Sequence, residues 1–332
     1  MPALRWGIVS CCKASCDFAE ALTSFSREEH VLTSIASTSM KTSQEFSKKY
    51  QVPNAYETYD ELATDPEVDI VYVAVIIPMH FDLTKSMINN GKHVVCEKPL
   101  SFCEKRAKEL SILSKIKKVF LMEAMWTKCF PAMDYLAEEI DNGTIGEVLF
   151  VHVTYGRSSY NKKKLNLKEI YRGVIMDLGV HALAFQEQIF RNHVSTKVLT
   201  AGHLNNQDVD ESASCIINYP EGKTCVIAIH TCVDLPNEAI IIGTKGTIRI
   251  PHFWFPTKII MPRETKKFPL PEGETEVSRV VAFKYLIEEV GKCVEDGKLE
   301  SDRHTHASML QVVHFMDLWR NQLEVIYEVD DS

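Results

Sequence analysis

The sequence predicts an α/β protein in two parts: a doubly wound parallel sheet, then an α+β domain with a large, mostly antiparallel open sheet. Three observations carry this. Up to about residue 125, short apolar runs alternate with helical patterns, as parallel βαβ units require. Beyond that point strand patterns follow one another across hairpin turns, as an antiparallel sheet requires. The chain has 332 residues, enough for one to three domains. The expected boundary lies between residues 125 and 126, giving domains 1–125 and 126–332.

The elements are expected in this order. Residues 4–10 read as a strand, 14–24 as a helix, 31–37 as a strand and 41–50 as a helix. Residues 69–76, with the run Ile70-Val71-Tyr72-Val73-Ala74-Val75, read as a buried strand, and a helix at 81–90 ends near Gly91. His93-Val94-Val95-Cys96 is the next strand, followed by a helix at 101–117 and a strand at 119–122. A helix at 132–141 stops at Asn142-Gly143, a C-cap signal. Strands are then expected at 147–155, 194–201, 213–219, 223–232, 238–242, 247–250 and 257–262. Tyr219-Pro220-Glu221-Gly222 and Gly243-Thr244-Lys245-Gly246 supply turns between them. Helices at 175–190, 280–296 and 305–322 complete the pattern.

Composition excludes several classes. The formal net charge of −8 argues against a basic face for nucleic acid. No apolar run is long enough to span a bilayer, so no membrane partner is expected. The N-terminal residues Met1-Pro2-Ala3-Leu4-Arg5-Trp6 lack the layout of a signal peptide, and a cytoplasmic location is expected. Of the ten cysteines, Cys96, Cys215, Cys225 and Cys232 lie in strand-like runs and read as small buried hydrophobes. Cys11, Cys12 and Cys16 lack zinc-site spacing, His304 and His306 have no nearby partners, and no metal is expected.

Glu97-Lys98-Pro99 closes a buried strand. Ligands of open α/β sheets bind at the carboxyl ends of strands. A lysine there can hold its ammonium against a substrate hydroxyl or a cofactor phosphate, and Pro99 biases it toward an extended backbone. The alternative reading is an ordinary surface charge at a strand end.

The first turn is less clear. A dinucleotide-binding turn reads G-x-G-x-x-G, so that the backbone can approach the pyrophosphate. Here Gly7-Ile8-Val9 leads into Ser10-Cys11-Cys12-Lys13-Ala14-Ser15. In one reading the small Ser10 and Ser15 still permit approach, Lys13 adds positive charge, and the helix N-terminus favours an anion. In the other, Cys12 places a Cβ where positive φ or close contact is needed, and cofactor binding is weakened or lost. Ser37-Thr38-Ser39-Met40-Lys41, after the second strand, contains no acid. A carboxylate there would bind the ribose hydroxyls of NAD and repel a 2′-phosphate. Its absence favours NADP, with NAD as the alternative; equally, these are ordinary loop and N-cap residues.

Four features occur together: Glu97-Lys98-Pro99, Pro78-Met79-His80 after another strand, Asp177-Leu178-Gly179-Val180-His181 in a helix, and Gly243-Thr244-Lys245-Gly246-Thr247 between late strands. With them the chain resembles the Gfo/Idh/MocA family of NAD(P)-dependent oxidoreductases over nearly its whole length. Leu4-Arg5-Trp6-Gly7-Ile8-Val9-Ser10, Ser15-Cys16-Asp17-Phe18, Cys96-Glu97-Lys98-Pro99 and Leu121-Met122-Glu123-Ala124-Met125-Trp126-Thr127 look like its dimeric dihydrodiol dehydrogenase branch, which also oxidises D-xylose.

The resemblance implies an N-terminal Rossmann domain over 1–125 and a substrate-binding and oligomerisation domain over 126–332. It implies a diol or sugar substrate, and a homodimer formed through the C-terminal sheet. The catalytic lysine carries over to Lys98. The acid/base position carries over to His181, where the branch has Tyr, and the substrate-orienting acid to Asp177. Trp126, Tyr155 and Trp254 match substrate-lining positions. Gly7, Ser10, Cys12, Lys13, Ser15, Thr38, Pro78, His80, Glu97 and Lys98 fall at cofactor-binding positions. Two departures stand out: Cys12 replaces a fingerprint glycine, and Thr38 replaces an Arg that binds the 2′-phosphate.

The residues support a mechanism of this kind. Hydride loss from an alcohol carbon requires the hydroxyl proton to leave, and neutral imidazole suits that task. A nearby ammonium would keep it neutral and stabilise alkoxide charge. Asp177 and His181 are four apart, so a helix presents them on one face. The competing reading is a solvated i,i+4 pair, and the aromatic residues have a competing reading as core. A catalytically degraded relative, serving as a ligand-binding or dimeric regulatory protein, is the alternative function.

Overall fold

The computed structural model describes residues 2–158, 168–171, 173–271 and 278–327. Contacts divide the chain into two compact units, 1–129 with 273–309 and 130–272 with 310–332.

The first unit is built from β1 (Leu4–Val9), α1 (Lys13–Leu22), β2 (His30–Ala36), α2 (Met40–Tyr50), β3 (Asn54–Tyr56), α3 (Tyr59–Thr64), β4 (Ile70–Val73), α4 (Ile77–Asn89), β5 (His93–Cys96), α5 (Glu104–Lys117) and β6 (Leu121–Glu123). The six strands lie in the order β3-β2-β1-β4-β5-β6, and all pairs are parallel. The order reverses between β1 and β4, so helices leave the sheet in opposite directions there and a crevice opens at the carboxyl ends. β4 is buried at every residue, as expected for a strand covered on both faces.

Three differences from the sequence reading have local causes. β3 and α3 were not expected, although Thr58-x-x-Glu61 is a capping box, in which Thr58 Oγ1 accepts from the Glu61 N–H and Glu61 returns the bond to the Thr58 N–H. α4 begins at Ile77 rather than residue 81, because Pro78 fits the first turn of a helix, where no N–H is needed. β1 carries Gly7 inside it: a Cβ there would lie 3.0 Å from Val68 Cγ1 and 3.2 Å from Leu62 Cδ2. Gly7 therefore lets α3 and its flank pack against β1. It does not belong to the turn that follows.

The second unit holds α6 (Pro131–Asp141), β7 (Val148–Gly156), a π-helical turn (Ile175–Gly179) running into α7 (Val180–Phe190), and strands β8 (Lys197–Leu204), β9 (Asp210–Asn218), β10 (Thr224–His230), β11 (Glu238–Gly243), β12 (Gly246–Pro251), β13 (Lys258–Ile260) and β14 (Thr265–Lys267). These strands form one sheet in the order β14-β13-β12-β11-β7-β10-β9-β8. It is antiparallel throughout except at β10–β7. One sheet face is core: Val151, Val153, Cys215, Ile217, Cys225, Ile227, Ala239, Ile241, Ile248 and Ile250 are buried. On the other face Leu199 lies beside Ile216, Ile216 beside Val226, Val226 beside His152, and His152 beside Ile240. Leu199, Ile216 and Ile242 remain 47%, 39% and 39% exposed.

α8 (Arg279–Glu295) belongs to the first unit, within 273–309. A single cut at 125/126 puts it with the second domain instead. The reason for its return is packing. Phe283, Leu286, Ile287 and Val290 sit in the hydrophobic cluster of the parallel sheet, and the Phe283 ring meets those of Phe18, Tyr72 and Trp126 edge to face. α9 (His306–Gln322) closes the series.

All ten cysteines are free thiols; Cys96, Cys215 and Cys225 are buried as expected, and Cys232 is half-buried. Among the described residues no helix is long and apolar enough to cross a membrane.

Candidate active site

The first unit gathers one half of the expected residues at the carboxyl edge of its sheet. The turn from β1 to α1 is tight because Ser10 adopts a left-handed backbone, φ 80°. Its N–H still bonds the Ala36 carbonyl at 2.8 Å. Cys12 is the N-cap of α1 with φ −75° and ψ 177°, a conformation open to any residue. The position that strains a side chain is thus Ser10 and not Cys12, which corrects the backbone argument against the cysteine. Cys12 is exposed, yet its thiol points down, donating to the Ala74 carbonyl at 3.3 Å and lying 3.5 Å from Ser15 Oγ. Beyond it the first turn of α1 contains no acid. Lys13 Nζ pairs with Asp17 at 2.5 Å, so its charge is partly met within the helix. A left-handed turn leading directly into a helix N-terminus fits a dinucleotide pyrophosphate: Ser10 and Cys12 border it, and the first N–H groups of a helix have no intrahelical partner, whereas Ser15, expected at a cofactor-binding position, is wholly buried with its hydroxyl near the Cys12 thiol.

At the end of β2, Ser39 caps α2 by accepting the Thr42 N–H, and Ser37 Oγ bonds Ser39 O and Ser43 Oγ. Those two hydroxyls serve the loop itself. Thr38 is the exposed hydroxyl, and no carboxylate stands among residues 37–41.

Lys98 lies two residues past β5 and is half-buried, and the Lys98–Pro99 peptide is cis. Its neighbours are held one by one. Tyr72 donates its hydroxyl to Glu97 Oε1 at 2.6 Å, and Glu97 Oε2 accepts the Lys98 N–H at 3.2 Å. His80 lies with Nδ1 2.7 Å from the Pro99 carbonyl and Nε2 3.1 Å from the Val75 carbonyl. Burial lowers the His80 pKa, and a neutral ring donates from one nitrogen, for which the shorter contact to Pro99 is the natural place. Expected as a cofactor-binding residue, His80 is 1% exposed with both ring nitrogens on backbone carbonyls. Its observed work is to tie α4 to the Lys98 loop. Pro78 sits in the first turn of α4, half-buried. Trp126 stands edge to face with Phe283, ring centres 5.5 Å apart, so it contributes to the core of this unit.

The second unit brings the other half together. Asp177 lies in the π-helical turn and His181 in the first turn of α7; they are 7% and 4% exposed, which rules out the solvated-face reading. A π-turn widens the helix locally, and such turns are frequent at functional sites. The Tyr155 ring meets that of His181 at 6.2 Å and stacks on Trp254 at 4.1 Å, 13° from parallel. Burial pushes the Tyr155 phenol pKa far above its ordinary value, opposed by the Arg157 charge and assisted by Asp177. Arg157 is therefore part of this cluster, and no motif in the sequence marked it. Sequence reasoning also missed Asp210. Its Oδ2 accepts the Ile175 N–H at 2.7 Å at the start of the π-turn. A Cβ on Gly173 would lie 1.6 Å from Asp210 Oδ1, so only glycine leaves room for this carboxylate.

His304 and His306, two apart in sequence, face different partners. His304 Nε2 lies 2.7 Å from Glu123 Oε2, and His306 Nε2 lies 3.1 Å from the Leu121 carbonyl.

Residues 4–125 match the family model described as the oxidoreductase family, NAD-binding Rossmann fold, GFO_IDH_MocA, and residues 133–249 match the GFO/IDH/MocA C-terminal domain. A trans-1,2-dihydrobenzene-1,2-diol dehydrogenase from Danio rerio is 33% identical, covering 99% of this chain and 100% of its own. One from Xenopus tropicalis is 34% identical, covering 98% and 99%. Among solved structures, a levoglucosan dehydrogenase in complex with NADH and levoglucosan superposes with a TM-score of 0.86 at 16% identity, covering 97% of each chain. A 3-ketoreductase from Actinomadura kijaniata in complex with NADP reaches 0.82 at 19% identity, covering 96% of this chain and 98% of its own. The parallel sheet with its β1/β4 crevice, the lysine at the end of β5 and the mostly antiparallel second sheet are thus those of a member of the Gfo/Idh/MocA oxidoreductase family, to which this chain belongs.

Proposed function

We propose that the protein is a dehydrogenase that oxidises a CH–OH group of a vicinal diol or cyclic sugar with NADP. One observation carries the reading most directly: full-length relatives at 30–34% identity are dihydrodiol dehydrogenases, and the lysine at the end of β5 is present here. The dinucleotide would be held by Ser10 and Cys12 at the start of α1. Thr38 and Lys41 would accept a 2′-phosphate, since no acid in that loop opposes it. The nicotinamide supplies the hydride acceptor.

The chain's own residues supply the rest. His181 takes the hydroxyl proton as a neutral imidazole, whose ordinary pKa of about 6.5 suits proton transfer near neutrality. The Lys98 ammonium stabilises the negative charge growing on that oxygen. Asp177 accepts a hydrogen bond from a second hydroxyl, which selects a diol over a simple alcohol. Tyr155 and Trp254 offer a stacked aromatic wall, and Trp126 a further apolar contact. The open face of the second sheet, with Leu199, Ile216 and Ile242 exposed, is the surface through which two copies would form a homodimer, as burial of such a patch favours. A cytoplasmic location agrees with free thiols at all ten cysteines.

Growth of nicotinamide absorbance on mixing protein, NADP and a panel of trans-diols and pentoses tests the reading. Lys98→Met should abolish the signal with the fold intact. A second reading, a ligand-binding protein without turnover, rests on the exposed Cys12 side chain at the helix start. Calorimetric binding of NADPH without turnover on the whole panel would favour it.

A further inference from the structure

The segment Lys98-Pro99-Leu100 is held from behind by a buried ionic chain that no motif predicted. The Leu100 N–H donates to Glu123 Oε1 at 2.8 Å. The other oxygen, Glu123 Oε2, lies 2.7 Å from His304 Nε2, and both side chains are wholly buried. His304 Nδ1 lies 3.1 Å from Ser308 Oγ, which accepts from Lys128 Nζ at 2.6 Å. Lys128 is itself 3% exposed. The Ala124 N–H, next in the chain, bonds the Cys96 carbonyl at 2.7 Å, so β5 and β6 are locked just before the lysine.

Burying a carboxylate, an imidazole and an ammonium together is expensive, and apolar residues of the same volume would often be no less stable. Such a chain is kept for what it orients. It joins the start of α9, through Ser308, and residues 126–129, through Lys128, to the loop that carries Lys98. Glu123 grips the N–H two residues past Lys98, while Tyr72 grips the side chain one residue before it and His80 the carbonyl one residue after. Glu123 has no exposure, so it reaches neither substrate nor cofactor itself. We propose that Glu123, oriented by His304 and Ser308, is a positioning residue for Lys98. The pair sets where the ammonium stands during the reaction and leaves dinucleotide affinity untouched. This rests on the functional reading of Lys98 given above.

The full-length protein with Glu123→Gln or His304→Gln tests it, with Lys98→Met as reference. Glutamine at 123 keeps an oxygen for the Leu100 N–H and loses the charge that holds His304. Two readouts need no substrate: hydrogen exchange of the Leu100 amide, and the acetylation rate of Lys98 by mass spectrometry. Lys92 is the internal standard, because it is 8% exposed and bonded to the Asp65 and Val68 carbonyls in the same unit. Faster Leu100 exchange, a change of about threefold or more in Lys98 labelling and constant Lys92 labelling are expected, with kcat reduced about 10- to 100-fold and NADPH affinity and KM within about twofold.

Unchanged Lys98 labelling in a folded variant overturns the proposal, as does a parallel rise at Lys92, which marks general loosening. Ser308→Ala is the milder variant should the others not fold; it should move Lys98 labelling in the same direction, and no movement there overturns the proposal equally. Wild-type protein that turns over nothing, or Lys98→Met as active as wild type, removes the functional reading instead. The labelling result still decides the positioning.

Discussion

The Tyr72 hydroxyl, in the middle of β4, donates to Glu97 at 2.6 Å, so a fully buried phenol fixes the residue that precedes Lys98. Burial and the Glu97 charge together push the Tyr72 pKa well above its ordinary value, which keeps it a donor at every working pH. Tyr72→Phe removes a hydrogen bond to a charged group, a loss of about 1.5–3 kcal/mol. A midpoint shift of that size in urea unfolding is expected, with turnover falling more than dinucleotide affinity. Unchanged stability would mean that Glu97 finds another partner.

Asp210 gives a pH signature. Its carboxyl is raised to about 6, first because burial disfavours its charge, against the bonds it accepts from Ile175 and its neighbours. The unfolded value is about 3.9, so between these two pH values the folded chain holds the extra proton. Its favourable contribution is therefore full below the unfolded value and is lost as pH rises through 6. The loss amounts to about 3 kcal/mol. Asp210→Asn retains an acceptor for the Ile175 N–H without the charge. The variant should melt above wild type at pH near 8 and converge on it toward pH near 4.5, in the sense that linkage requires. A difference that stays constant with pH would contradict the assignment.

The turn into α1 makes opposite predictions for two neighbouring residues. Ser10 holds φ at 80°, where glycine has no penalty, so Ser10→Gly should raise stability by about 0.5–1 kcal/mol. Cys12 holds φ at −75°, so Cys12→Gly relieves no strain and should lower stability by a few tenths of a kcal/mol. Calorimetry with NADPH on the second variant then reports the effect of the side chain alone. Tighter binding would identify the thiol as an obstruction, whereas equal binding would show that its turn toward Ala74 already clears the space.

The exposed face of the second sheet predicts an oligomer. Ile216→Glu places a charge within the row that runs from Leu199 to Ile240. Sedimentation should show a monomer for the variant and a dimer for wild type, with melting of the variant little changed because Ile216 is already 39% exposed. A wild-type monomer at micromolar concentration would discard the surface as an interface.

The sequence by itself determined the periodic parts. Unbroken runs of β-branched and aromatic residues such as Ile70–Val73 and alternation along β10 follow from local sterics and from which face is covered, so both sheets and all their strands but the three-residue β3 and β14 were legible. The lysine after β5 was legible too, because strand ends in such sheets bind ligands wherever the fold occurs. Tertiary structure alone decided the remainder. An amphipathic helix does not name its partner, so α8 could be assigned to the first unit only once Phe283 was seen among Phe18, Tyr72 and Trp126. A histidine does not announce what its nitrogens face, and His80 proved to hold backbone carbonyls. Glu123 and His304 lie 181 residues apart, and Asp210 lies 35 from the amide it caps. Bonds of that span leave no local pattern, because their energy depends on burial and distance, which exist only after the chain has folded.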